Sequence, residues 1–157
     1  LRDPVYWMCF LGIGLSIWGG MGAVFAVLFY REELGISLAI QGKVLAVNNA
    51  LTLLIALPIG YLVDRWNYFR LTQIGGVLQG AVCLAGFFLI RDVPTLLAFG
   101  IGYTIGKTAF TMGLSRTIIA VYPKEKFGQF GSAGSAFASL GAIGMSLLAA
   151  KFVDVCG

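Results

Sequence analysis

Lys107 stands near the middle of a long apolar run, with Thr104, Thr108, Thr111 and Ser115 around it at three- and four-residue spacings. Residues three and four apart lie on one face of a helix, so these side chains form a polar stripe. An ammonium at mid-depth in hydrocarbon costs a few kcal/mol, and such a group faces a cavity or a partner. The chemistry open to it is recognition: a fixed cation among hydroxyls suits an anionic or polyhydroxylated solute. The competing reading is a structural ion pair with an acid outside this sequence.

A second constellation is the turn Gly60-Tyr-Leu-Val-Asp64-Arg65-Trp-Asn-Tyr-Phe-Arg70. It places one carboxylate and two guanidiniums between two apolar runs. Asp64 is expected to accept backbone N–H groups at a neighbouring helix N-terminus, where the helix dipole favours an anion. Arg116, about two turns before the end of its own run, is the candidate to hold it in place. Such a cluster would latch one side shut and must break when that side opens.

Other chemistry finds no support. The chain has no His, which removes the commonest general base and metal ligand. Cys9, Cys83 and Cys156 lie in or at the end of apolar runs without metal-ligand spacing, and no disulfide framework or metal site is expected. No Asp or Glu lies at mid-membrane depth, Asp154 falling at the very end of the last run, so a membrane-embedded enzyme has no acid, base or nucleophile constellation to use. Gly106-Lys107-Thr108 imitates the end of a phosphate-binding loop, but position 101 is Ile where that loop needs Gly, and Gly102 is one residue off. No cofactor is expected.

These groups are positioned by an unusually apolar chain. Of its 157 residues 59% are hydrophobic and only 11% charged. A soluble domain carries roughly a quarter charged residues, so lipid must be the solvent over most of this surface. The net charge of +4 comes from residues scattered in short turns, which fits a membrane protein and argues against a nucleic-acid partner. Five runs are long enough to span as helices, which takes about 20 residues each: 5–30, 38–63, 71–90, 95–122 and 127–155. The fold class is therefore all-α and polytopic, one helical domain over 1–157.

Local signals punctuate the runs. The first is rich in Gly, with a bend expected near Trp18-Gly19-Gly20. Ser37 suits an N-cap, and Pro94 suits a helix start. Gln41, Asn48 and Thr52 share a face of the second run, and Pro58 is expected to kink it. Packing faces of small residues are expected at Gly76 and Gly80, and on the fifth run at Gly134, Ala138 and Ala142 with Gly131 and Ser135. Tyr and Trp residues collect at the run ends, where interfacial belts form. Arg2, Arg65, Arg70, Lys124 and Lys126 fall on one side, against Arg31, Arg91 and Lys151 on the other. That bias puts the Asp64 turn in the cytoplasm.

The Gly60–Arg70 turn resembles the signature loop of the major facilitator superfamily, roughly G-x-L-x-D-R-x-G-R-R between the second and third helices of a six-helix half. Gly60, Leu62, Asp64 and Arg65 match in place. Asn67 stands where the turn Gly is usual and tolerates the same left-handed turn. Tyr68 and Phe69 replace the usual basic pair, and Arg70 lies one residue further on. The degenerate loop, and the lack of a Gly-Pro motif in the fifth run, resemble helices 7–11 of the C-terminal half. The chain opens on Leu1 and starts and ends against apolar segments, so a longer polypeptide is expected.

The resemblance implies secondary transport of a small polar solute, sugar-like or an organic anion, by alternating access. The first, second, fourth and fifth helices of each half would line a central cavity. Lys107, Asn48, Asn49, Thr52, Thr111 and Ser16 would then contact the solute. Gly60, Asp64, Arg65, Arg70 and Arg116 would form a cytoplasmic gate. A coupling ion, if used, would bind a carboxylate in the other half. The implied setting is the plasma (inner) membrane, multi-pass. A non-transporting receptor or accessory subunit on the same scaffold is the alternative.

Overall fold

The computed structural model describes residues 4–156. Five long helices follow one another: α1 Pro4–Glu32, α2 Leu38–Arg65, α3 Tyr68–Leu89, α4 Val93–Val121 and α5 Phe127–Cys156, with a single 3₁₀ turn at Lys124–Lys126 before the last. The shortest, α3, has 22 residues and extends about 33 Å at 1.5 Å per residue, enough for a hydrocarbon core about 30 Å thick.

Among the described residues, three stretches are both long and apolar enough to cross a membrane: Leu38–Arg65, Tyr68–Leu89 and Lys124–Leu148. In α1, Tyr6–Trp18 is likewise apolar. α4 has the length, but Lys107 and its many Gly and Thr residues dilute its hydropathy. The apolar side chains largely point away from the protein. Leu57 of α2 is 84% exposed and Phe87 of α3 82%, which in water would be an aggregation surface and in lipid is ordinary.

The turns explain where the helices stop. Gly35 adopts a left-handed φ of 62°, open to Gly without a steric penalty. This lets Ile36 N donate back to Tyr30 O at 2.9 Å. Ser37 caps α2 by accepting from Ile40 N at 3.4 Å. Gln41 Nε2 then ties the connection down, donating to Ile36 O at 3.0 Å and to Val27 O at 3.3 Å. Thr95 Oγ1 accepts from Arg91 N and Asp92 N and donates to Asp92 O, closing the first turn of α4 around Pro94.

The turn at Asn67 is built differently from the expectation. Asn67 has an extended backbone at φ −69° and ψ 108°, and no described non-Gly residue has a positive φ. Its side chain accepts from Phe69 N at 3.0 Å. Asn therefore serves as the N-cap of α3, and the helix starts at Tyr68, three residues before the apolar run does. α1 is helical through Trp18-Gly19-Gly20, and α2 through Pro58. Arg2, counted in the charge bias, lies outside the described residues.

The chain divides into two compact units. One comprises Leu1–Ala26 with Ile118–Gly157, the other Val27–Thr117. In the first, Cys9, Phe10 and Tyr122 form a buried cluster flanked by Tyr6, Phe130 and Phe137. Gly134, Ala138 and Ala142 of α5 are buried, Ala138 completely. Gly134 meets Phe10 and Ile13 of α1. The companion pair is not used in this way: Ser135 is exposed and Gly131 has open space beside it.

In the second unit the tightest seam joins α3 to α4, and its glycines are not the expected ones. A Cβ at Gly75 would collide with the Phe110 backbone and lie 2.9 Å from Gly106 O. A Cβ at Gly106 would lie 2.8 Å from Gln79 N, and one at Gly113 would lie 3.0 Å from Thr72 N. Gly80 faces open space, and Gly76 meets only the Phe110 ring. The close approach therefore runs through Gly75, one position before the motif's first Gly. That approach is what small residues allow in membrane helices.

Candidate functional site

Within the Val27–Thr117 unit, α2 and α4 border an open cavity of about 340 Å³. Leu45, Asn48, Asn49 and Thr52 line it from α2. From α4 come Tyr103, Thr104, Lys107, Thr108, Thr111 and Met112. The spacing explains the grouping: 45, 48, 49 and 52 are one helical face, and 104, 107, 108 and 111 are another. Five of the six residues singled out for solute contact, Asn48, Asn49, Thr52, Lys107 and Thr111, are brought together here. Ser16, on α1, is not among the lining residues. Ser115, at the end of the polar stripe, is exposed and donates to Thr111 O at 2.9 Å instead.

Lys107 Nζ lies 6.0 Å from the centroid of the Tyr103 ring, one turn back on α4, at the outer limit of cation–π attraction. Gln79 of α3 donates from Nε2 to the Tyr103 hydroxyl at 3.4 Å. Tyr103 was given no role by sequence reasoning. Its four-residue offset from Lys107 was the available signal, because an aromatic at i−4 lies beside the cation on the same face. Among the described residues no Asp or Glu lines the cavity, and no group of His, Cys, Asp or Glu suited to a metal occurs.

Asn48 sits at a pinch point. A Cβ on Gly100 would lie 2.6 Å from Asn48 Nδ2, so Gly at 100 lets α4 close on the amide. Asn48 Oδ1 is buried there without a hydrogen-bond partner. Thr52 Oγ1 donates to Asn48 O at 2.9 Å, and Thr108 Oγ1 to Thr104 O at 2.7 Å. Gly106-Lys107-Thr108 lies in the interior of α4, so its resemblance to a phosphate loop has no structural counterpart. Gly106 serves instead as the contact point for α3.

The loop residues are only partly gathered. Arg116 Nε lies 3.9 Å from Asp64 Oδ1, with both side chains more than half exposed. Asp64 accepts no backbone N–H among the described residues, so the helix N-terminus expected to bind it is not part of this arrangement. Arg65 turns to the Tyr61 ring, its guanidinium carbon 4.7 Å from the centroid. Arg70 is exposed and forms no ion pair among the described residues. Gly60, inside α2, has open space beside it.

No match was found among curated proteins or among solved structures. A family model described as Major Facilitator Superfamily aligns with residues 8–157, taking in all five helices, the loop and both walls of the cavity. That family consists of membrane transporters for small molecules. With this match covering nearly the whole chain, the protein belongs to the major facilitator superfamily and is an integral membrane transporter.

Proposed function

We propose that the chain carries a small polar solute, sugar-like or an organic anion, through the α2–α4 cavity by alternating access. It acts there as part of a secondary active transporter, a symporter of the plasma (inner) membrane. The observation that carries the reading is Lys107 opening into a cavity shared with Asn48, Asn49, Thr52 and Thr111. A cation kept at that depth favours a bound partner over lipid. The helices fit the second half of the fold, with the coupling ion held by a carboxylate elsewhere in the polypeptide. The proximity of Asp64 and Arg116 supports a latch on the loop side, one that breaks as that side opens.

The test is counterflow in proteoliposomes made with the full-length protein, run with a panel of labelled sugars and organic acids. Saturable uptake of at least one solute is expected, and Asn49→Trp, which fills the cavity, should abolish it. Saturable uptake unaffected by Asn49→Trp would remove the cavity from the route. A complete lack of flux across the panel would favour a receptor or accessory role.

A further inference from the structure

The solute class can be narrowed, on the footing of that reading, by the hydrogen bonds the cavity has already made. Thr52 Oγ1 and Thr108 Oγ1 lie 2.9 and 2.7 Å from carbonyl oxygens of their own helices. A carbonyl oxygen has no proton to give, so both hydroxyls are the donors. Each has committed its only proton to the backbone. What each offers a solute is a lone pair, so these two threonines are acceptors.

Lys107 is the opposite case, with three donors and no acceptor. Among the described residues its ammonium meets the Tyr103 ring face and no carboxylate. Among the described residues no acidic side chain lines the cavity to neutralise it. A neutral sugar would leave this charge uncompensated in a low-dielectric setting. A simple aliphatic carboxylate would compensate it but leave the threonine lone pairs unmet. The volume of about 340 Å³ lies at the small end of ligand cavities, roughly 300–1,000 Å³.

We infer that the cavity selects a small hydroxylated organic anion, with its carboxylate on Lys107 and its hydroxyls donating to Thr52 and Thr108. The sugar-like and anionic alternatives then become one class, a polyhydroxy acid. Leu45 and Met112 cover its carbon chain without competing for its polar groups.

The experiment is equilibrium binding of labelled D-gluconate to the full-length protein in detergent, competed by D-glucose and by hexanoate. These probes share a six-carbon chain, and each competitor lacks one of the two features. Gluconate is expected to bind, with both competitors at least tenfold weaker. Lys107→Gln should weaken gluconate at least tenfold, whereas Lys107→Arg, which keeps the charge, should retain most binding. Thr52→Val, which changes shape little, should weaken it severalfold. Glucose competing as well as gluconate, full binding by Lys107→Gln, or no gluconate binding to the native protein would each overturn the inference. The cavity route fails on a different observation, uptake that survives Asn49→Trp.

Discussion

The Trp18 indole lies against Gly141, with its Nε1 donating to the Ala138 carbonyl oxygen at 2.9 Å. A Cβ at position 141 would collide with the ring. The ring is also close to Gly14, where a Cβ would approach to 3.0 Å. The indole is a rigid plate, so it has no flexible end to swing aside. Gly141→Ala is expected to destabilise by about 1–3 kcal/mol, the range for overpacking a filled site. A lowered melting temperature in detergent checks this, and an unchanged one would show that the ring relocates freely.

The α3–α4 seam gives a paired prediction. Gly75→Ala places a methyl against the backbone of Phe110, which cannot rotate away. Gly80→Ala places one in open space and removes a weak helix former, a gain of about 0.5–1 kcal/mol. The two substitutions, five residues apart, should therefore move thermal stability in opposite directions. Equal effects would contradict the seam as described.

Tyr122 tests the aromatic cluster. Its ring is buried among Tyr6, Phe10, Phe127 and Phe130, and its hydroxyl is buried without a partner. Burying an unbonded hydroxyl costs roughly 1–3 kcal/mol. Tyr122→Phe keeps the ring and removes that burden, so stability should hold or rise. A clear fall in melting temperature would reveal a partner for the hydroxyl.

The Asp64–Arg116 pair separates stability from conformation. At 3.9 Å and more than half exposed, it contributes at most about 1 kcal/mol. Asp64→Asn should leave the melting temperature within a degree or two. Its expected effect is a shift toward the inward-open state, read as altered labelling of single cysteines placed on the two sides. An unchanged labelling pattern would remove the latch role.

The fold was legible because composition and run length alone force helices when lipid is the solvent. The two walls of the cavity were legible for the same reason, since Asn49, Thr52, Lys107 and Thr111 are polar where apolar residues are the default. What stayed hidden depends on helix rotation. Spacing marked Gly76 and Gly80 as a pair but could not show that α3 turns Gly75 toward α4. Nor could it show that Gly141 is the seat of Trp18, because that requires knowing which turns of α1 and α5 are level. At Asn67 the residue type permitted either a left-handed turn or an N-cap. The bond to Phe69 N decides for the cap, by giving an orphan donor of α3 a partner.

The glycine seam also has a mechanical meaning. Where side chains separate two helices, changes of rotamer let one slide a little past the other. Between Gly75 and Gly106 main chain rests on main chain, with nothing there that can yield, and at Gly113 the Thr72 hydroxyl and backbone both press close. α3 and α4 therefore act over these turns as a single beam. One part of that beam holds the Lys107 ammonium, and one end of it is the capped turn at Asn67, three residues from Asp64. A displacement of Lys107 would therefore be carried along the beam toward the charged turn, as a push on one end of a tie-rod is felt at the other.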